Sequence, residues 1–137
     1  MLEYVLLYFA TVPVFFLIDL VWLGLIARDF YRSQLGSLMA DPIVWPVAIG
    51  FYLLFIVGII VFAVAPALEA GSWTRALLYG AAFGFFAYMT YDLTNLATVR
   101  DWPAQLAVVD IAWGTFLAGS VATASYFIVE RIVGVGG

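Results

Sequence analysis

The stretch ALLYGAAFGFFAYMTYDLTNLATV, residues 76–99, decides the fold of this chain. It lies between Arg75 and Arg100 and carries a single charged side chain, Asp92. An α-helix of about 20 apolar residues is long enough to cross the roughly 30 Å of hydrocarbon in a bilayer. Residues 76–99 therefore predict a membrane-spanning helix, and they raise the question of what a carboxyl group does inside it.

Three other apolar stretches of similar length occur in the chain, which makes the predicted spans 4–27, 42–66, 76–99 and 103–129. Hydrophobic residues make up 66% of the 137 residues and charged residues only 10%. Soluble domains carry about a quarter charged residues. We therefore expect an all-α fold, a bundle of four transmembrane helices that forms a single membrane domain over residues 1–137.

Three residue types are missing from the sequence: Cys, His and Lys. Their absence excludes thiol catalysis, disulfides, Cys/His zinc sites, His-ligated haem and a retinal Schiff base. The five arginines are dispersed and form no basic stripe, so nucleic acid is not an expected partner. No spacing typical of metal ligands occurs either. We predict no cofactor and no metal site.

Three carboxyl groups fall inside the predicted spans, and counting along the chain places them at one depth. Asp19 lies nine residues before Arg28, and Asp92 lies eight residues before Arg100. Asp110 lies nine residues after Asp101, the charge just before the last span. At about 1.5 Å per residue, all three lie roughly 12–13 Å below one border of the membrane. We therefore expect a layer of three carboxyls, called the Asp layer below, in which side chains from three helices meet.

Burying the Asp layer in the membrane costs free energy. A charged Asp near the bilayer centre costs roughly 2.5–3.5 kcal/mol on insertion scales. No basic side chain lies within any predicted span to offset this cost. The carboxyls must therefore be protonated, neutralised by a bound cation, or held by neutral hydrogen-bond donors. Each of these arrangements creates a site that is sensitive to protons or cations.

A short pattern surrounds each Asp of the layer, because a Trp or Asn follows it three positions later and so shares its helix face. Two tyrosines precede Asp92 on the same helix. Trp and Tyr can donate hydrogen bonds to carboxylates, and their ring faces attract cations. The predicted ligand- and proton-binding residues are Asp19, Trp22, Tyr88, Tyr91, Asp92, Asn95, Asp110 and Trp113.

Two other features leave alternatives open. Gly80 and Gly84 form a GxxxG motif, which indicates close helix packing inside the bundle or, as the alternative, a homodimer face. A partner in a membrane complex is the other expected protein contact. Residues 28–41 form the longest connection, which either lies as an amphipathic turn on the membrane surface or covers the Asp layer. Membrane lipids and a small-molecule ligand complete the expected partners.

Six segments of the sequence together indicate a protein family: DLVWLG (19–24), FYR (30–32), FAVAPAL (62–68), FGFFAYMTYDLTNLAT (83–98), WP (102–103) and DIAWG (110–114). In these segments the sequence resembles an uncharacterised bacterial family of predicted membrane proteins, domain of unknown function 2177. The resemblance implies a compact, multi-pass four-helix protein of the bacterial inner (cytoplasmic) membrane, and it supplies no activity or catalytic residue.

Three functions remain open, and we rank them in this order. The first is a proton- or cation-linked transporter or binder of a small, cationic or amphipathic ligand. The second is an accessory or structural subunit of a larger membrane complex, in which the Asp layer is an internal hydrogen-bond network. The third is a membrane-embedded enzyme that acts on a lipid-like substrate with paired carboxyls as acid and base. The lack of a nucleophile motif argues against the enzyme.

Overall fold

The computed structural model describes residues 2–40 and 44–133, and in these residues all regular secondary structure is helical. The start of the second predicted span, at residue 42, lies outside the described residues. Within them the α-helices, in chain order, are α1 (Leu2–Val21), α2 (Arg28–Leu35), α3 (Trp45–Ile59), α4 (Ala65–Ala70), α5 (Trp73–Thr98) and α6 (Ala104–Val133).

In the part of the chain that the structure describes, three helical segments are long and apolar enough to cross a membrane: Leu2–Ile26, Trp45–Ala70 and Ala104–Ile132. They confirm the expectation of a helical membrane protein. The fourth predicted span forms one uninterrupted helix, α5, whose 26 residues extend over about 39 Å. This helix is long enough to cross but less apolar than the other three, since it carries Asp92 among several hydroxyl and amide side chains. Its crossing of the membrane, and so the count of four spans, stays a prediction.

Helices α5 and α6 form the closest pair in the molecule, and the GxxxG motif lies at their contact. A Cβ added at Gly80 would lie 2.7 Å from the Ala118 carbonyl oxygen, and one added at Gly84 would overlap the Gly114 carbonyl. Small residues on both helices therefore let the two backbones touch. Both glycines of the motif face α6 of the same chain.

Two long helical segments contain π-helical turns, in which each backbone bond spans five residues. Residues Trp22–Ile26 form the first, and its last bond runs from the Ala27 N–H to the Trp22 carbonyl at 2.7 Å. Residues Ile60–Val64 form the second, immediately before α4. There Pro66 lacks an N–H, and its ring would clash with the carbonyl four residues earlier. A wide turn at this place relieves that clash and lets the segment continue.

The bundle is tightly packed at one end and splayed at the other. From Phe55 to Leu68, buried side chains recur at every turn and form the core with α5 and α6. From Trp45 to Leu54, the first part of α3, not one residue is buried. The close approach to α5 comes from Ile60–Val64, from α4 and from the last part of α3, where Phe55 packs against Phe83. The first half of α3 therefore stands away from the α5–α6 pair and leaves a space between them.

Candidate functional site

The splayed half of the bundle encloses a cavity of about 770 Å³. Sites for small organic molecules usually measure about 300–1,000 Å³. Five helices and the loop between α5 and α6 contribute to the wall, which combines carboxyls and aromatic rings with aliphatic side chains. Its acidic and aromatic members are Asp19, Tyr31, Phe51, Tyr52, Tyr88, Tyr91, Asp92, Trp102, Asp110 and Trp113.

The three carboxyls of the Asp layer lie at similar distances from the helix ends. Asp92 lies six residues before the end of α5, and Asp110 six residues after the start of α6, which is about 9 Å along each helix. Asp19 lies seven residues before the end of its span at Ile26, about 10 Å. The layer is therefore shallower than the count to the border charges predicts, because the helices end before those charges.

Asp19 is held by a donor from another helix. Its side chain is only 4% exposed, and Oδ1 accepts a hydrogen bond of 3.2 Å from the Trp113 indole Nε1. The Tyr52 hydroxyl of α3 lies close to the same carboxyl. A buried carboxyl with such donors no longer depends on water for its hydrogen bonds. Asp19 therefore connects α1 to both α6 and α3.

Asp110 is held by Tyr31, a residue of the connection between the first two spans. The Tyr31 hydroxyl donates to Asp110 Oδ1 at 2.7 Å and accepts from Trp22 Nε1 at 3.2 Å. Helix α2 turns Tyr31 and Leu35 toward the cavity and its charged residues outward. The connection thus covers the Asp layer, as one of its two predicted arrangements requires.

Two stacked indoles join these hydrogen bonds into one network. The rings of Trp22 and Trp113 lie 4.4 Å apart and are parallel within 7°. Trp113 donates to Asp19, whereas Trp22 donates to the tyrosine that holds Asp110. Trp113 therefore bonds the Asp19 carboxyl directly, and Trp22 is linked to the Asp110 carboxyl through the Tyr31 hydroxyl. Neither Trp bonds the Asp that lies three positions before it in the sequence.

Asp92 is the carboxyl of the layer that no donor holds. Its side chain is fully buried, and among the described residues neither Oδ1 nor Oδ2 has a hydrogen-bond partner. The Asp110 carboxyl lies within hydrogen-bonding reach, but two carboxyls can be joined only through a proton that they share. A buried polar group without a partner costs about 1–3 kcal/mol, and more when it is charged. The layer therefore contains a position where an added proton or cation would be stabilised.

The cavity wall offers no positive charge to the Asp layer. None of its lining residues is basic, and Arg28, the nearest cation along the chain to Asp19, forms an exposed 3.9 Å ion pair with Asp29. Among the described residues, no three acidic side chains lie close enough to hold one metal ion. Burial, and then the nearby Asp110 carboxyl, raises the pKa of the Tyr31 hydroxyl, so this donor stays protonated at ordinary pH.

Six of the eight predicted site residues line the cavity: Asp19, Tyr88, Tyr91, Asp92, Asp110 and Trp113. Trp22 does not line it, because it lies behind Trp113 in the indole stack. Asn95 also lies outside the lining residues and is half-buried elsewhere on α5.

Tyr31 and Trp102 are among the lining residues that the sequence did not predict. Tyr31 lies in a connection whose path the helix periodicity does not fix, although its place in the FYR segment marks it. Trp102 lies in the α5–α6 loop, where a Trp is usually an anchor at the membrane interface. Its ring instead packs edge-on against Tyr91 at 5.6 Å, and its buried Nε1 has no hydrogen-bond partner.

Comparison with known proteins identifies a family whose model matches most of the chain. Residues 4–127 match the family model described as Predicted membrane protein (DUF2177). No curated protein and no solved structure matches the chain at a significant level.

Proposed function

The chain belongs to the family Predicted membrane protein (DUF2177), and we propose that it binds a small, cationic or amphipathic ligand in the cavity at the Asp layer. Binding is linked to protons, because the ligand's positive charge and a proton compete for the same carboxyls. In the bacterial inner membrane, with four spans crossing it, such a protein serves as a proton- or cation-linked transporter or as a binding protein.

The unpartnered carboxyl of Asp92 is the observation that carries this proposal. It lies fully buried beside Asp110, so the pair has two acidic groups and a single hydroxyl donor, that of Tyr31. Two carboxyls at one site cannot both be ionised without a positive charge between them. A proton supplies that charge in the empty site, and an ammonium group of a ligand supplies it in the occupied one.

The aromatic wall is suited to the same ligand. Tyr88, Tyr91 and Trp113 line the cavity together with the carboxyls. The face of an aromatic ring attracts a cation by about 0.5–2 kcal/mol, most strongly where water is excluded. Carboxyls supply the charge and rings supply the shape for an organic cation, whereas an anionic ligand would meet three acidic groups and no basic one.

A purely structural hydrogen-bond network accounts for part of this arrangement. The bonds of Asp19 to Trp113 and of Asp110 to Tyr31 connect helices, as polar side chains commonly do in membranes. Asp92 makes no such bond, so it adds the cost of burial without adding a connection. A carboxyl that costs free energy to bury and connects no helices is better explained by a ligand site than by a structural network.

The test measures cation binding and proton release together. Purified protein in lipid nanodiscs is titrated with a series from tetramethylammonium to tetraphenylphosphonium, and the fluorescence of the cavity tryptophans and the pH of a weakly buffered solution are recorded. We expect saturable binding of at least one cation, accompanied by proton release, and binding at least tenfold weaker in Asp110→Asn.

Asp29→Asn is the matched control, because the Asp29 side chain is 95% exposed on α2 and lies outside the cavity. It should bind as the wild type does. The proposal is abandoned if no cation of the series binds, or if Asp110→Asn and Asp29→Asn bind with equal affinity.

A further inference from the structure

We infer that the ligand is an amphiphile, a single cationic headgroup on a long hydrocarbon or aromatic tail, which enters the cavity sideways from the lipid between α3 and α5. This inference rests on the proposed function and specifies the ligand class of the same site. The three observations behind it are the gap between the two helices, the gradient of polarity across the cavity, and the cover at the loop end.

The gap is bordered by residues of one face on each helix. On α3, positions Ala48, Phe51 and Phe55 recur at helical spacing and so share one face of the helix. On α5, Ala87 and Tyr91 form the corresponding stripe. All but Phe55 line the cavity, and each helix places one alanine in its stripe. Two small side chains in facing stripes leave space between the helices where larger side chains would close it.

Aromatic rings close the same gap farther along the helices. Phe55 of α3 packs against Phe83 at 5.3 Å and against Tyr88 at 5.9 Å. Phe83 also lies against Gly58, where a Cβ would collide with its ring. The opening is therefore limited to the first half of α3, and its closed end is a floor of packed aromatic rings.

Polarity changes sharply from the side opening to the opposite wall. At the opening, four residues that line the cavity are also exposed: Val44, Val47, Phe51 and Tyr91, by 58%, 69%, 49% and 55%. The carboxyls of the Asp layer lie behind them and are buried or half-buried. A ligand that fits this gradient carries its charge at one end and its apolar part at the other. It binds with the headgroup at the carboxyls and the tail toward the hydrocarbon.

Among the described residues, the loop end of the cavity is covered by side chains of α2 and of the loop between α5 and α6. Helix α2 places Tyr31 and Leu35 there, and Tyr31 is bonded to Asp110. Trp102 packs on Tyr91 beside them. A cation arriving from water would have to displace this hydrogen-bonded and ring-packed cover, whereas an amphiphile already dissolved in the lipid reaches the side opening without disturbing it.

The experiment compares two probes that share a headgroup, tetramethylammonium and decyltrimethylammonium, in nanodiscs, with empty nanodiscs subtracted for partition into lipid. In the variant Ala87→Leu, the new side chain narrows the gap from α5. We expect decyltrimethylammonium to bind at least tenfold more weakly to this variant than to the wild type. Ala82→Leu, on the exposed face of the same helix, is the matched control and should bind as the wild type does.

Ala48→Leu narrows the gap from α3 and provides the same test if Ala87→Leu does not fold. Equal binding of decyltrimethylammonium to the wild type and to the folded gap variants overturns the side entry, even where Asp110→Asn abolishes binding and so upholds the proposed function. Tetramethylammonium binding as tightly as the decyl compound overturns the amphiphile class. Failure of both probes to bind in an Asp110-dependent way removes the proposed function and this inference together.

Discussion

Replacing Asp92 by Asn should stabilise the protein while it removes the proton- or cation-binding position. The Asp92 carboxyl is fully buried and accepts no hydrogen bond, a state that costs about 1–3 kcal/mol for a polar group. The Asn side chain carries no charge and donates through its amide N–H₂, so it can bond the neighbouring Asp110 carboxyl. Hydrogen bonds between membrane helices contribute about 0.6 kcal/mol on average. We therefore expect Asp92→Asn to raise the free energy of unfolding by about 1–3 kcal/mol at a pH high enough that Asp92 and Asp110 share no proton.

The assay is reversible unfolding in mixed micelles with increasing SDS, without added ligand, followed by far-ultraviolet circular dichroism. The informative contrast is with Asp19, which accepts a bond from Trp113. Asp92→Leu should also stabilise under the same conditions, whereas Asp19→Leu leaves the partly buried Trp113 indole N–H without its acceptor and should destabilise by about 1–3 kcal/mol. A loss of more than about 1 kcal/mol in Asp92→Asn would refute the reasoning, because it would show that Asp92 has a partner that holds the helices together.

Three further outcomes follow from the same contacts. Tyr31→Phe removes the hydroxyl that donates to Asp110 and should lower the free energy of unfolding by about 1–3 kcal/mol in the same assay. Tyr79→Phe, at an exposed position, is the control and should change it by close to zero. Equal effects of the two substitutions would contradict the Tyr31–Asp110 bond. Because the pKa of Tyr31 is raised above its ordinary value of 10.0, the stability due to the neutral hydroxyl is fully present below pH 10. The advantage of wild type over Tyr31→Phe should therefore shrink above pH 10, and a constant difference in a pH series would contradict this. Gly84→Ala places a methyl group against α6 and should destabilise by about 1–3 kcal/mol, whereas Gly50→Ala, with open space around it, should not; unfolding curves that coincide would refute the close packing.

The common depth of the carboxyls could be predicted because helix geometry converts residue counts into distances. Asp92 and Asp110 lie on consecutive helices that share one loop, so equal spacing from that loop brings them to one level. Long apolar runs likewise predict the bounds of the long helical segments within a few residues. The carboxyls lie closer to the helix ends than the residue count predicted. The reason is that α5 ends at Thr98 and α6 begins at Ala104, so the border charges lie outside both helices.

The partners of the carboxyls could not be predicted from spacing along one helix. A residue three positions from an Asp lies on the same helix face, but its side chain can bond a residue of another helix instead of that Asp. Trp113 therefore bonds Asp19, and Asn95 lies outside the cavity. Which side chains meet across helices depends on rotation and tilt, which packing sets and periodicity does not.

The role of the connection between the first two spans lies beyond helix periodicity for a similar reason. A short amphipathic helix can lie on the membrane or fold back over the bundle, and both arrangements satisfy its pattern of exposed charges. The π-helical turn at Trp22–Ile26 widens the end of the first span just before α2. That local geometry, together with the Tyr31 bond to Asp110, settles the path of the connection in the folded chain.

Native mass spectrometry of the purified protein, released from mild detergent, tests the central claim most directly. Wild type is measured beside Asp92→Asn, with Asp29→Asn as the control in which only an exposed carboxyl changes. We predict a discrete small-molecule adduct on the wild type and on the control, lost in Asp92→Asn although that variant is at least as stable. Its mass would begin to identify the headgroup and tail. Identical bare spectra from all three proteins, followed by equal cation binding in nanodiscs, would contradict the claim that the Asp layer is a ligand site.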